Sequence, residues 1–74
     1  MVKTYCNYTL YSEDSSCCVE EGDWFEKIVY FDKGVMKVGQ DVFVDEIAEN
    51  YIVIKDENDE ETQINIRDIE SFEV

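Results

Sequence analysis

The chain has 74 residues, of which 19 are Asp or Glu and 6 are Lys or Arg. The formal net charge of −13 favours a strongly basic partner and disfavours nucleic acid, anionic membranes and acidic substrates. A hydrophobic share of 45%, with five Tyr, four Phe and one Trp, excludes the aromatic-poor composition of acidic disordered segments. We therefore expect residues 1–74 to fold as a single acidic β domain with a small core.

The first element has an alternating pattern. One face carries Val2, Cys6, Tyr8 and Leu10. A period of two predicts one half-buried strand from Val2 to Leu10, with Tyr5 and Tyr11 on the otherwise polar side. Residues 12–23, rich in Ser, Asp and Glu, predict a long acidic loop.

The middle of the chain predicts a hairpin. Residues 24–31 are apolar on both faces, which is typical of a central strand covered on two sides. Asp32-Lys33-Gly34 predicts a type I turn with a G1 bulge, after which residues 35–38 return antiparallel. A break is expected at residues 39–41, then a short strand at 42–44 and a single helical turn at 45–50 that ends at Asn50.

The C-terminal third alternates most clearly. Residues 51–55 and 62–67 predict a hairpin with Ile52, Ile54, Ile64 and Ile66 in the core and an acidic tip at residues 56–61. Ile69 and Phe72, three apart, predict a 3₁₀ turn before a short strand that ends at Val74. The segment IVIKDENDEETQINIRDIESFEV resembles the last hairpin, 3₁₀ turn and closing strand of SH3-like and Sm-like barrels.

These elements predict a mainly β fold. We expect five to six strands in a strongly bent antiparallel sheet or an SH3-like or Sm-like barrel, with at most one or two short helical turns. An RNA-binding role would suit such a barrel but conflicts with the charge, since only six dispersed basic residues could neutralise phosphates.

Three cysteines, two of them adjacent, argue against a disulfide framework and favour a reducing cytoplasm. The first residues contain no apolar signal region, and no run of about 18 apolar residues suits a membrane span. We therefore expect a cytoplasmic protein that does not enter membranes.

The chain lacks the residues that catalytic and metal sites usually contain. The chain has no His, no CxxC spacing and no glycine-rich phosphate loop. Residues 56–61 start like an EF-hand loop, but Glu61 stands where that loop needs Gly and Arg67 where it needs Glu. We therefore predict a protein that is not an enzyme and has no cofactor and no metal site.

Acidic residues on alternating strand positions form rows of negative charge that can imitate phosphates. In size, charge and aromatic content the chain is similar to the DNA-mimic inhibitors of phages and mobile elements, which include glycosylase inhibitors, anti-restriction proteins and anti-CRISPR proteins. That resemblance implies a basic partner, such as a nuclease or another nucleic-acid-binding protein. The predicted acidic contacts are Glu13, Asp14, Glu20, Glu21, Asp23, Asp41, Asp45, Glu46, Glu49, Asp56, Glu57, Asp59, Glu60 and Glu61. The predicted aromatic anchors are Tyr5, Tyr11 and Trp24.

Other functions remain open at this point. A small barrel adaptor would bind a protein or peptide without nucleic-acid mimicry, through a few aromatic positions. A homo-oligomeric barrel and an enzyme are the remaining alternatives, although a domain this small leaves little room for a buried active-site cleft. If the charge serves solubility alone, the acidic rows are ordinary solvated faces.

Overall fold

A computed structural model describes the backbone of residues 2–5, 9–12 and 17–74, and the side chains of residues 9–11 and 18–74. Within these residues the fold is mainly β, as the sequence predicts. The elements are β1 (Val2–Tyr5), β2 (Thr9–Ser12), β3 (Cys17–Glu20), β4 (Trp24–Asp32), β5 (Val35–Ile47), β6 (Tyr51–Lys55), β7 (Glu61–Asn65), a 3₁₀ turn (Ile66–Asp68) and β8 (Ile69–Glu73).

The strands form two antiparallel sheets. The smaller sheet has the order β1-β2-β3, and the larger has the order β7-β6-β5-β4-β8. The last strand therefore returns to pair with β4, the first strand of the larger sheet. Within the described part of the chain no ladder joins β7 to β8, so the structure fits the bent antiparallel sheet rather than a closed barrel.

The core lies between the two sheets. Leu10 and Val19 of the smaller sheet are fully buried and belong to the same cluster as the apolar residues of the larger sheet. Within that cluster the rings of Phe25 and Phe72 lie 5.2 Å apart, centroid to centroid. The prediction that the C-terminal hairpin contributes to the core is confirmed, because its four isoleucines, Ile52, Ile54, Ile64 and Ile66, are all buried.

The single N-terminal strand predicted from Val2 to Leu10 is wrong. β1 and β2 pair antiparallel with Tyr5 opposite Thr9, so the chain reverses direction between them. Directly opposite residues of two strands share a face, and here odd-numbered residues pair with odd-numbered ones, as Tyr5 does with Thr9. Even-numbered positions therefore lie on one face in both strands. Alternation therefore continues through the reversal and cannot reveal it.

The long loop predicted over residues 12–23 is also wrong in part. It contains β3, which pairs with β2 and buries Val19 completely. A four-residue strand between Ser-rich and acidic segments is too short to show a period. What remains after β3 is a tight turn, closed by a hydrogen bond of 3.1 Å from the Asp23 amide to the Glu20 carbonyl.

β4 is an interior strand, but its predicted burial on both faces is wrong. Phe25 and Ile28 are buried, whereas Trp24 is 59% exposed and Phe31 is 37% exposed. Because the two buried positions are three residues apart, the inward-facing residue is odd-numbered at Phe25 and even-numbered at Ile28. One face therefore packs on the core, and the other carries apolar side chains that no second layer covers among the described residues.

The β4–β5 connection is a tighter turn than predicted. Asp32 pairs with Val35, and the two residues between them, Lys33 and Gly34, have φ angles of 53° and 81°. Two positive φ angles in a two-residue loop define a type I′ turn, which matches the twist of the flanking strands. The predicted type I turn with a G1 bulge is therefore wrong.

β5 is continuous across the predicted break at residues 39–41. Gly39 lies against Ile28, and a Cβ atom there would be 3.2 Å from Cγ2 of Ile28, so the glycine serves close packing. The predicted helical turn at 45–50 is wrong, because Glu46 and Ile47 pair with β6. Pairing with a neighbouring strand outweighs the weak helical propensity of this segment.

The 3₁₀ turn exists but lies earlier than predicted, at Ile66–Asp68. Ile69 and Phe72 are buried in β8, opposite Tyr30 and Ile28. The register shifts between Val29 and Tyr30, which explains why buried residues of β8 are three apart.

Candidate interaction surface

The fold gathers three acidic segments that are far apart in sequence. We call them together the acidic rim. It consists of the β3–β4 turn (Glu20, Glu21, Asp23), the second half of β5 (Asp41, Asp45, Glu46) and the β6–β7 connection with its flanking residue (Asp56, Glu57, Asp59, Glu60, Glu61).

Backbone hydrogen bonds attach the first segment to the second. The Gly22 amide donates to the Val44 carbonyl at 2.9 Å, and the Val44 amide donates to the Asp23 carbonyl at 2.9 Å. Gly22 has a φ of 93°, which brings its amide toward β5 at little steric cost. These bonds therefore keep the β3–β4 turn beside the acidic residues in the second half of β5.

Strand register joins the second segment to the third. Phe43 of β5 lies opposite Trp24 on one side and opposite Lys55 on the other. Lys55 in turn lies opposite Glu61, where β7 begins. With neighbouring strands about 4.8 Å apart, the four strands span about 14 Å from Trp24 to Glu61.

Three carboxylates of the acidic rim also hold the backbone. Glu21 Oε2 accepts a hydrogen bond from the Ile47 amide at 2.9 Å, and Asp23 Oδ2 accepts one from the Glu20 amide at 3.0 Å. Asp56 Oδ1 accepts from the amides of Asn58 and Glu60 at 2.8 and 3.0 Å. These hydrogen bonds fix the positions of the three side chains.

Asp45 is partly neutralised, because its Oδ1 lies 3.6 Å from Nζ of Lys55. The remaining side chains of the acidic rim make no hydrogen bond or ion pair with any other residue that the structure describes. They are Glu20, Asp41, Glu46, Glu57, Asp59, Glu60 and Glu61. All are exposed except Glu46, which is half-buried. A basic partner would therefore meet carboxylates that are free to change their contacts.

The predicted aromatic anchors differ in position. Trp24 is exposed at the acidic rim and packs edge-to-face on Phe43, with ring centroids 5.2 Å apart. Tyr11 is half-buried in β2 and already has a bonded or stacked partner. Tyr5 belongs to β1, and its side chain lies outside the described residues. Of the three predicted anchors, Trp24 is thus the one whose described side chain lies exposed beside the acidic rim.

Three predicted acidic contacts are not placed in the acidic rim. Glu49 is exposed in the β5–β6 connection, at the opposite end of β6 from the 56–61 connection. Glu13 and Asp14 lie outside the described residues.

The sequence reasoning missed two features. Phe43 supports Trp24, and its position directly between Val42 and Val44 could have shown that its side chain points away from the core. The second feature is an apolar arm, residues 27–40 of the β4–β5 hairpin, which is exposed throughout residues 33–38 and also carries Lys27, Lys33 and Lys37. The apolar run at residues 28–31 predicts burial on both faces, which hides this exposure.

Within the arm, Lys37 Nζ lies 3.0 Å from Oδ2 of Asp32. The hydrogen bond and the charge of Asp32 raise the pKa of Lys37 above its ordinary value. Lys37 therefore stays protonated at any ordinary pH.

A small cleft of about 210 Å³ opens between the β4–β5 turn and β7, lined by Tyr30, Asp32, Lys33, Gln63, Asn65 and Asp68 among others. In the described part of the chain, no three Cys, Asp or Glu side chains are arranged to hold a metal ion. The same residues contain no helix long and apolar enough to cross a membrane.

Comparisons with known protein families, with curated proteins and with solved structures find no match.

Proposed function

We propose that this chain is a non-enzymatic acidic interaction protein that binds and blocks the basic nucleic-acid-binding surface of a partner protein. The observation that carries the proposal is the acidic rim, in which the fold brings three separate acidic segments together around an exposed tryptophan. A charge that served solubility alone would need no such gathering.

The dimensions of the acidic rim suit this role. The four strands along which it lies span about 14 Å from Trp24 to Glu61, and duplex DNA carries one charge per about 1.7 Å of its axis. The free carboxylates supply long-range attraction and fast association, while those bound to backbone amides supply a fixed pattern. The exposed ring of Trp24 adds the apolar contact that commonly dominates interface energy.

The proposal implies a basic partner, such as a nuclease or another nucleic-acid-binding protein, and no direct contact of this chain with nucleic acid. It places the chain in the cytoplasm, in agreement with the free and exposed thiol of Cys18. Phage DNA-mimic inhibitors, including anti-CRISPR and anti-restriction proteins, are the functional class to which we assign it.

Affinity capture with two charge-matched variants tests the proposal. The rim variant carries Glu57→Gln, Asp59→Asn, Glu60→Gln and Glu61→Gln. The control variant carries Glu26→Gln, Glu49→Gln, Glu70→Gln and Glu73→Gln, all exposed and outside the acidic rim. Both have the same net charge, −13 + 4 = −9.

Immobilised wild-type chain should capture basic nucleic-acid-binding proteins from a host lysate, identified by mass spectrometry, and release them as salt rises. The control variant should retain these proteins and the rim variant should lose them. Equal capture by the two variants would show that only the net charge matters and would contradict the proposal.

A further inference from the structure

The first half of β5 is an edge strand. Residues 42–44, 46 and 47 of β5 pair with β4 or β6, and Phe43 pairs with both. Val35–Gln40 pair with β4 alone among the described residues. One side of the backbone of this segment therefore has amide and carbonyl groups that no described strand occupies.

The side chains of this edge are apolar and exposed on both faces. Met36 and Val38 are 57% and 53% exposed, and they lie opposite Phe31 and Val29 on the outer face of the arm. Val35, on the other face together with Lys37, is 60% exposed. Folded proteins usually block such edges with charge, proline or a bulge, because a free apolar edge readily adds another strand.

The charge of the arm is opposite to that of the rest of the chain. Residues 27–40 contain three lysines and one acid, Asp32, for a net charge of +2. The remainder of the chain therefore carries −13 − 2 = −15. Pairing with the same edge of a second copy would place two lysine-bearing arms together, whereas an acidic segment would be attracted.

We propose that the β5 edge at Val35–Gln40 binds an extended peptide segment of alternating acidic and apolar residues, which adds to the sheet as a further strand. The site goes beyond the proposed function, because it uses none of the acidic rim. It would let the chain bind a second protein while the rim is occupied.

The two faces of the arm specify the two residue types of the peptide. Successive side chains of an added strand point to opposite faces. On the outer face they contact Met36 and Val38, where apolar side chains of the peptide bind most favourably. On the other face they meet Lys37, whose ammonium group has three donors and can donate to a second carboxylate besides that of Asp32.

Amide chemical shifts of the ¹⁵N-labelled chain test the site with defined probes. The ligand is an acetylated and amidated octapeptide of alternating Glu and Val, and its control replaces every Glu with Lys. The Glu peptide should shift the amides of residues 35–40 in a saturable way and bind at least 10-fold more tightly than the Lys peptide. No saturable shift at these residues, or equal affinity for both peptides, would overturn the proposal.

Two further comparisons separate strand addition from a nonspecific apolar contact. Two N-methylated forms of the Glu peptide are compared, one methylated at every Val amide and the other at every Glu amide. Only one of the two should lose binding, because a strand pairs through one of its edges at a time. Val38→Glu should abolish binding, whereas Val74→Glu, at an equally exposed valine, should not. Tolerance of both N-methylated peptides would contradict strand addition. Concentration-dependent shifts of residues 35–40 without peptide would show that a second copy occupies the edge instead.

Discussion

The carboxylate of Glu21 accepts a hydrogen bond of 2.9 Å from the backbone amide of Ile47, 26 positions further along the chain. This bond ties the β3–β4 turn to the last residue of β5. It therefore fixes one segment of the acidic rim relative to the next.

Replacing Glu21 should consequently destabilise the fold. Hydrogen bonds to charged groups contribute about 1.5–3 kcal/mol, and this one is only partly buried. We expect Glu21→Ala to lower the free energy of unfolding by about 1.5 kcal/mol in urea titrations, at the lower end of that range. Glu20→Ala, which removes an exposed carboxylate of the same turn, should change it by less than about 0.5 kcal/mol. Equal effects of the two variants would contradict a structural role for Glu21.

The type I′ turn at Lys33 and Gly34 predicts a stabilising substitution. Lys33 has a φ of 53°, a conformation that asparagine adopts at lower cost than lysine. Lys33→Asn should raise the free energy of unfolding by about 0.5 kcal/mol. Lys33→Gln removes the same charge without the conformational benefit and serves as the control. If both variants have the same stability, charge rather than turn conformation determines the effect.

Trp24 provides an intrinsic probe of the acidic rim, because it is the one tryptophan of the chain and is 59% exposed. Binding of a basic partner should move its fluorescence emission to shorter wavelength. Trp24→Ala should weaken binding at least about 10-fold, which corresponds to about 1.4 kcal/mol. Phe31→Ala, at an exposed aromatic residue of the arm, should leave affinity unchanged. Unchanged emission on saturation would exclude Trp24 from the interface.

The Asp32–Lys37 pair predicts a titration difference. Because the hydrogen bond and charge of Asp32 raise the pKa of Lys37, the pair stabilises the arm fully below the ordinary lysine pKa of 10.5. This contribution is lost as the pH rises through the higher pKa of the folded state. Asp32→Asn should lower the pKa of Lys37, measured by NMR from its side-chain signals. The same midpoint in both proteins would show that the pair does not persist in solution.

The parts of the fold that sequence predicts are those where one face is buried along a whole strand. The two-residue spacing of Ile52 and Ile54 placed β6 correctly, and Ile64, between Gln63 and Asn65, did the same for β7. The predictions failed where the inward-facing position changes from odd-numbered to even-numbered along one strand, as between Phe25 and Ile28. They also failed where the chain reverses direction without interrupting the alternation of faces, as between Tyr5 and Thr9.

The sequence shows that the chain is rich in acidic residues, but it does not show which of them lie together in the acidic rim. Nothing local relates Asp23 to Asp45, because their proximity depends on the hydrogen bonds of Val44 with the β3–β4 turn. The roles of Glu21 and Asp56 as acceptors of backbone amides also depend on tertiary or turn geometry. The sequence named these residues as contacts, whereas the structure gives them a share in maintaining the fold.

Competition with DNA tests the central claim most directly. A fluorescent duplex is first bound to a nucleic-acid-binding protein captured by the chain, and the unlabelled chain is then titrated into that complex. If the acidic rim occupies the nucleic-acid-binding surface, the chain displaces the duplex completely, and the affinity of the chain for the partner, measured without duplex, falls steeply as salt rises. A stable ternary complex of chain, partner and duplex would contradict the claim.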